Sequence, residues 1–456
     1  MFSQTISSLK MALPALCMNQ QTKELIAKSF CSNPERVENL MKWLGVPPSF
    51  TTLRVNTYHS SINNILQQVE ITLKKQCVSR GMDMFDIWRH PALKDCLVIQ
   101  NRGPKTNLIP AEKEVIVDLM CGMAVLRGAD VFAQGIMGAA SSMMKGDTVA
   151  VYCDMEGLCR RGATQKYSKN KIFVGNGVAQ IGRDEYFCSE EKISGVGILM
   201  TQPVMEAPCL DILPNIVFAQ NLPSIVCTHV LDPQPGETIL DMCAAPGGKT
   251  THIAALLCGK GRVVALDKAR SKINKLKQNI EAWGLSHLVE CYDYDARNAH
   301  SSDKSTVREG SPPYPSETFD RILLDGPCSA LGQRPSLKNI MVPSVLNSFP
   351  RYQRQLIKTA VELLKPGGTL VYSTCTIPVE ENEEQIQWAL ENFPQLKLIK
   401  QTPHVGGHGI KGGNNLSEDQ LELLQRFDPS TLQSDNLTCD TDTIGFFIAK
   451  FIKSQT

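Results

Sequence analysis

The stretch Asp241-Met-Cys-Ala-Ala-Pro-Gly-Gly-Lys249 decides the fold of this chain. It follows the apolar run Thr238-Ile-Leu-Asp-Met242 and leads into an apolar segment that predicts a helix, Thr250-Thr-His-Ile-Ala-Ala-Leu-Leu257. Strand, tight glycine turn and helix in that order leave backbone amides at a helix N-terminus, open to a polar or anionic ligand group. Pro246 sets the turn, and Gly247 and Gly248 remove the side chains that would hold a ligand away.

Outward from this turn the pattern alternates. After Asp232-Pro-Gln-Pro-Gly236, strands are expected near 238–242, 262–267, 288–292, 320–325 and 369–373, with helices near 249–258, 268–283 and 352–364. Such alternation specifies a parallel sheet covered on both faces, an α/β Rossmann-like domain over 236–456. The polar stretch Arg297 to Thr318 reads as a surface insertion, and Thr443-Ile-Gly-Phe-Phe-Ile-Ala-Lys-Phe451 as a closing strand.

Upstream the texture differs. Residues 1–110 mix helical spacing (Lys23–Lys28, Val37–Leu44) with the strand-like Thr51-Thr-Leu-Arg-Val-Asn56, which reads as a small α+β unit. Over 111–204, short β-branched runs such as Val115-Ile-Val117, Asp147–Tyr152 and Lys171–Val174 are separated by glycines, as in a small β-barrel. Residues 205–235 then connect back to the first unit.

A chain of 456 residues exceeds one ordinary core. Its hydrophobic content of 42% and charged content of 20% are those of a globular protein, and a net charge of +1 excludes a uniformly basic coat but not a local basic groove. The sixteen cysteines are too sparse for a disulfide scaffold and form no zinc-type pair, so free thiols, a cytoplasmic location and no metal are expected. No apolar run reaches the roughly 18 residues of a membrane span, and Met11-Ala-Leu-Pro-Ala-Leu-Cys17 lacks the form of a signal peptide.

In open α/β sheets ligands bind beyond the C-terminal strand ends. Asp267 ends the second strand about 20 residues past the glycine turn, placed to accept from two ribose hydroxyls. Asp295 lies just past the third strand, within reach of an adenine amino group, and Asp325 ends the fourth. Any one of these acids alone reads equally as a helix or turn cap. Dinucleotide binding is the competing ligand class, and the turn lacks its Gly-x-Gly-x-x-Gly.

Asp325-Gly-Pro-Cys-Ser329 and Ser373-Thr-Cys-Thr376 put two thiols on the same rim. A lone cysteine is most often a small buried hydrophobe. Two at neighbouring strand ends suit the nucleophile that pyrimidine carbon-5 alkylation needs, because carbon 5 is inert until carbon 6 has been attacked.

These motifs, with Glu380-Glu-Asn-Glu383 and Leu53-Arg-Val-Asn-Thr57, resemble the Sun (NSUN) family of RNA cytosine-5 methyltransferases. The 111–204 segment, with Leu126-Arg-Gly-Ala-Asp-Val-Phe-Ala-Gln-Gly-Ile136 and Gly175-Asn-Gly177, resembles an inserted PUA RNA-binding barrel. A PUA ahead of the catalytic domain, beside an RRM-like N-terminal unit, is similar to the member-six type, which acts on transfer RNA near the acceptor end. The resemblance implies that Cys375 attacks carbon 6 and Cys328 aids product release. It further implies that Asp325 and Lys249 contact the base. Cys243, Ala244, Ala245, Pro246, Gly247, Gly248 and Lys249, with Asp267, Asp295 and Asp325, would hold S-adenosylmethionine. Two positions depart from the family pattern: Ala330 stands where a glycine is usual, and Ser430 where many relatives carry histidine.

For the RNA partner, the barrel segment offers Lys145, Arg160, Arg161, Lys166, Lys169 and Lys171, and a second basic cluster runs from Lys260 to Lys277. Tyr152, Tyr167 and Phe173 are candidates to stack on unpaired bases, Phe173 fitting a core position better. A non-catalytic RNA-binding protein and a DNA cytosine methyltransferase are the alternatives. The paired thiols argue against the first, and the second thiol with the PUA-like segment against the second.

Overall fold

The computed structural model describes residues 13–58, 60–188, 193–209, 212–303, 305–307 and 310–455. Met11 and Ala12 of the N-terminal apolar run lie outside them.

The C-terminal half is an eight-stranded sheet. Its strands are β1 Thr238–Asp241, β2 Arg262–Asp267, β3 Val289–Asp293, β4 Phe319–Asp325, β5 Leu364–Thr374, β6 Leu396–Leu398, β7 Gln425–Phe427 and β8 Phe446–Lys453. They lie in the order β3-β2-β1-β4-β5-β8-β6, with β7 also paired to β8. Strands β1 to β5 are mutually parallel, as the alternation requires, whereas β8 runs antiparallel to β5. β8 is the closing strand expected over 443–451, and it runs antiparallel with neighbours on both sides.

Period-two alternation sends successive residues to opposite cores. Ile239, Val263, Ala265, Leu323, Val371 and Ile448 face one side. There they meet helices α1 (Leu222–Leu231), α2 (Gly248–Leu256) and α3 (Arg270–Ala282). Leu240, Val264, Ile322, Leu324, Leu370 and Phe447 face the other, under α4 (Ser348–Leu363) and α5 (Glu383–Asn392). Each fully buried aliphatic side chain contributes about 1.5–3 kcal/mol. Helix α1 thus packs into the core of the eight-stranded sheet, although it precedes the proline-rich turn at 232–236. Within the polar stretch 297–318, Tyr314 is buried edge-on against Phe319 rather than lying on the surface.

A four-stranded antiparallel sheet is formed by Phe50–Val55, Ile87–Arg89, Cys96–Gln100 and Val217–Ala219. Leu53, Val55, Leu97 and Ile99 pack under the helix Ile62–Arg80, capped by Ser61. The alternate residues Cys96 and Val98 enter the core on one face of the eight-stranded sheet. The same alternation turns Arg54 toward the glycine turn. The helices Gln20–Lys28 and Pro34–Leu44, capped by Asn19 and Asn33, join Leu331, Leu346 and Ile377 in a separate cluster.

Between these parts, six strands from Lys113 to Pro203 form a sheet with its own core. Their order is 131–132, 196–203, 171–179, 148–154, 113–117, 136–139. Among the described residues no helix is long and apolar enough to cross a membrane.

Candidate active site

Because β1 to β5 are parallel, their C-terminal ends share one edge. It carries the glycine turn after β1, Asp267 at the end of β2, Asp325 at the end of β4, and Cys375 just past β5. Lys249, in the first turn of α2, puts Nζ 2.7 Å from Asp325 Oδ2 and 5.1 Å from the Phe446 ring centroid. Ser373 Oγ donates to Asp325 Oδ1 at 2.7 Å. Burial disfavours the Lys249 charge, yet the Asp325 carboxylate beside it holds its pKa above the ordinary lysine value.

The thiols of Cys328 and Cys375 lie 3.4 Å apart. Their hydrogen bond lowers the Cys375 pKa below the ordinary thiol value, against burial and Asp325, with Gln333 and Lys249 assisting. The same bond, burial and Glu381 push Cys328 well above it. Either sulfur could donate on distance alone, but Lys249 and Gln333 face Cys375 while the Glu381 carboxylate faces Cys328, which favours the proton on Cys328 and Cys375 as the incipient thiolate, the form that acts as a nucleophile.

The glycine turn fits a bound ligand. Gly247 sits at φ +107°, and a Cβ there would meet Leu276 Cδ1 at 2.6 Å, so no other residue fits without strain. Asp241 is buried; its Oδ2 accepts from Thr250 Oγ1 at 2.8 Å, while Oδ1 has no protein partner. Burial pushes its pKa up to about 7. An orphaned, buried acceptor beside a glycine cradle suits the ammonium end of an amino-acid-like ligand. Cys243 and Ala245 are half-buried, Ala244 is buried and Pro246 is exposed, its carbonyl accepting from Asn279 Nδ2 at 2.8 Å. Asp267 Oδ1 takes the Ala269 amide at 3.0 Å. Asp295, expected to reach an adenine amino group, caps the turn Ala296–Asn298 and pairs with Arg297 Nη2 at 2.6 Å, so its carboxylate is already engaged within the protein.

Arg54 is the residue whose place the sequence does not disclose. Fully buried, it donates to Gln220 Oε1 at 2.8 Å, Thr251 Oγ1 at 2.8 Å and Gly248 O at 3.2 Å. It lies 4.3 Å from the Trp283 ring centroid. Thr251 Oγ1 in turn donates to Gly247 O at 2.7 Å, so the turn is braced from the N-terminal sheet. Burial lowers the Arg54 pKa to about 9. Only its position in Leu53-Arg-Val-Asn56 hinted at a role.

Two histidine–acid groups also come together, Asp95 with His229 and His252, and His90 with Cys439 and Asp440. His229 and His252 each place Nε2 2.7 Å from Asp95. His90 Nε2 lies 2.7 Å from Asp440, and its Nδ1 accepts from the Ala92 amide at 3.1 Å. That amide fixes the proton on Nε2, which makes the pair a hydrogen bond rather than a metal-ligand set.

The RNA candidates separate in the structure. Lys145, Arg160, Arg161, Lys166 and Lys169 are exposed. Lys171 is tied to Glu114 at 2.6 Å and covers Tyr152, which packs on Phe173, while the Tyr167 hydroxyl is bound to Asp154. Lys260, Arg270, Lys272, Lys275 and Lys277 are exposed.

A parallel sheet with a glycine turn at its switch point, and two adjacent thiols on the same rim, has the arrangement of an α/β S-adenosylmethionine-dependent methyltransferase. A family profile described as 16S rRNA methyltransferase RsmB/F matches residues 228–452. The tRNA (cytosine(72)-C(5))-methyltransferase NSUN6 of Mus musculus is 46% identical over 451 residues, covering 95% of this chain and 94% of that protein. The tRNA (cytosine(72)-C(5))-methyltransferase of Pyrococcus horikoshii is 32% identical, covering 92% and 93%. The crystal structure of NSun6 from Pyrococcus horikoshii with SFG aligns with a TM-score of 0.76 at 30% identity, covering 96% of this chain and 99% of that one. The chain belongs to the Sun (RsmB/F) family of RNA cytosine-5 methyltransferases.

Proposed function

We propose that this protein transfers the methyl group of S-adenosylmethionine to carbon 5 of a cytosine in transfer RNA, near the acceptor end, as the relatives' names state for cytosine 72. The observation that carries the reading is the pair of thiols 3.4 Å apart beside Lys249 and Asp325, on the rim that also holds the glycine turn.

Cys375 adds as thiolate to carbon 6 of the cytosine. Asp325, poised between Lys249 and Ser373, holds the ring nitrogen and amino group so that carbon 6 becomes electrophilic, and Lys249 contacts the base from the turn side. When bound, S-adenosylmethionine supplies an electrophilic methyl on a sulfonium. Residues Cys243 to Lys249 with Asp241, Asp267 and Asp295 would hold it. SFG, seen with the archaeal relative, is an analogue of that cofactor. After methylation the carbon-5 proton leaves, the carbon 6–sulfur bond breaks with its electron pair returning to Cys375, and Cys328 aids this release.

The six-stranded sheet within 111–204 serves as a PUA barrel that holds the RNA end through Lys145, Arg160, Arg161, Lys166 and Lys169. The four-stranded sheet with its helix serves as an RRM-like unit, built from residues 1–110 and 205–235, and residues 236–456 perform the chemistry. Sixteen unpaired cysteines suit a reducing compartment, so we place the protein in the cytoplasm.

Cys375→Ser should lose methylation of transfer RNA yet still bind the cofactor, and Cys328→Ala should accumulate a covalent RNA adduct through Cys375. Unchanged turnover in the Cys375 variant, or methyl incorporation into DNA in preference to RNA, overturns the reading.

A further inference from the structure

The motif Glu380-Glu-Asn-Glu383 sits away from the reacting rim, yet it grips both thiol loops. Glu381, 1% exposed, accepts three hydrogen bonds. Its Oε1 takes the Ser329 hydroxyl at 2.5 Å, and its Oε2 takes the Ser329 amide and Gln353 Nε2, each at 3.0 Å. Ser329 Oγ also lies 2.6 Å from Thr376 Oγ1. Since the single Ser329 hydroxyl proton goes to the carboxylate, Thr376 must be the donor to Ser329. The Leu331 amide then donates to Thr376 Oγ1 at 3.3 Å. A one-way chain results, from Leu331 N–H through Thr376 and Ser329 to Glu381, and it joins the residue after Cys328 to the residue after Cys375.

The two loops do not depend on this chain equally. The Cys375 loop has its own bracket. Asn382 takes the Thr374 hydroxyl at 2.5 Å and donates to Thr376 O at 3.1 Å, while the Gly332 amide, from the Cys328 side, donates to Cys375 O at 3.0 Å and joins the two loops. The side-chain anchors of the Cys328 loop are Glu381, Thr376 within the same chain of bonds, and Gln353, which donates to Pro327 O at 3.0 Å. Gln353 is itself oriented by Glu381.

We propose that Glu381 is a positioning residue for the methyl transfer: it holds Cys328 beside Cys375 and thereby governs release of the methylated base rather than the attack on it. This rests on the two-thiol chemistry above. Only an acceptor with both oxygens free of protons satisfies three donors, which is why a carboxylate stands here despite its burial. Burial opposes that charge and pushes the Glu381 pKa up to about 7, against the Ser329 and Gln353 hydrogen bonds.

The test uses full-length Glu381→Gln, Ser329→Ala and Cys328→Ala with radiolabelled S-adenosylmethionine and target transfer RNA. Turnover, the fraction of enzyme trapped on RNA, and cofactor affinity are read in parallel. Glu381→Gln keeps an oxygen for the Ser329 amide and Gln353 but turns an amide N–H₂ on the Ser329 hydroxyl, which must then reverse and set itself against the Thr376 donor. The proposal expects turnover to fall about tenfold or more, trapped Cys375–RNA adduct to rise toward the Cys328→Ala level, and cofactor affinity to stay within about twofold. Ser329→Ala, which removes only the hydroxyl link, should shift both readings the same way to a smaller extent. It decides the matter should Glu381→Gln lose cofactor binding through misfolding. Adduct in Cys328→Ala with none above wild type in the Glu381 and Ser329 variants overturns the positioning role alone. No Cys375 adduct in Cys328→Ala overturns the underlying two-thiol chemistry and this proposal with it.

Discussion

Replacing Arg334 by methionine should destabilise the protein by about 3–5 kcal/mol, the cost of leaving one partner of a buried ion pair uncompensated. Arg334 and Asp442 have fully buried side chains and meet at 2.6 Å. The guanidinium also donates to the carbonyls of Trp43, Val46 and Thr443 at 2.7 to 3.0 Å, and Asp442 takes the Ser49 amide at 2.8 Å. One side chain thus ties the segment after Cys328 to the N-terminal helices and to the approach to β8. Methionine fills much of the volume, so the loss is electrostatic and not a cavity. At about 2–4 °C per kcal/mol for a unit of this size, the melting midpoint should fall by roughly 6–20 °C. Trp43 fluorescence is the natural reporter, since the guanidinium lies 5.5 Å from its ring centroid. The double variant Arg334→Met with Asp442→Asn removes the stranded charge and should regain at least half of the deficit. A fall below about 2 °C, or a double variant no more stable than the single one, would falsify the account of this pair as the clasp between the two parts.

Two further outcomes follow from the thiol loops. The hydrogen bond from Cys328 is the largest influence lowering the Cys375 pKa. Its loss in Cys328→Ala leaves Gln333 and Lys249 against burial and Asp325, so less thiolate exists at a given pH. The acid limb of the pH profile for adduct formation should move to higher pH; a limb that stays in place rejects the donor assignment. Ala330 sits at φ +55°, the left-handed region that costs an alanine about 1–2 kcal/mol. Ala330→Gly should therefore stabilise the protein by about 0.5–1 kcal/mol once the greater freedom of glycine in the unfolded chain is subtracted. Denaturation that shows the variant less stable by more than 1 kcal/mol rejects that strain.

What was legible in the sequence was local. Thr238 to Leu257 carries its own period change, turn chemistry and helix start, so strand, turn and helix were readable within twenty residues. The two thiols followed because each sits one step past an apolar run, and parallel strands bring such ends together. The Ala330 departure from glycine is explained by the same local logic, since the loop needs a positive φ there. Contacts across long separations were not legible. Arg54 meets Gln220 166 residues away and Thr251 197 residues away, and nothing in the spacing of Leu53-Arg-Val-Asn56 says what a buried cation would serve. Helix α1 reads as a continuation of the unit before the Pro-rich turn, but Ile225, Val226 and Val230 complete the catalytic core. Lys171 and Tyr167 looked like free contact residues because their partners, Glu114 and Asp154, are set by strand pairing.

These long-range contacts bear on what the catalytic segment can do alone. The profile match begins at residue 228, inside α1, and every chemical motif except Leu53-Arg-Val-Asn56 lies beyond it. A chain reduced to 236–456 would keep both thiols, Lys249, Asp325 and the glycine turn. It would lose Arg54 from Gly248 and Thr251, Leu222 to Leu231 from one face of the sheet, and the carbonyls of Trp43 and Val46 from Arg334. Arg334 would then retain Asp442 but face water, and the Gly248 carbonyl would lose its charged donor. Two of these losses fall on loops that carry reacting groups, and the third uncovers one face of the sheet that holds them. The N-terminal part is accordingly a structural half of the active site, and its sheet alternates so that one face makes its own core while the other, through Arg54, Cys96 and Val98, completes the catalytic one.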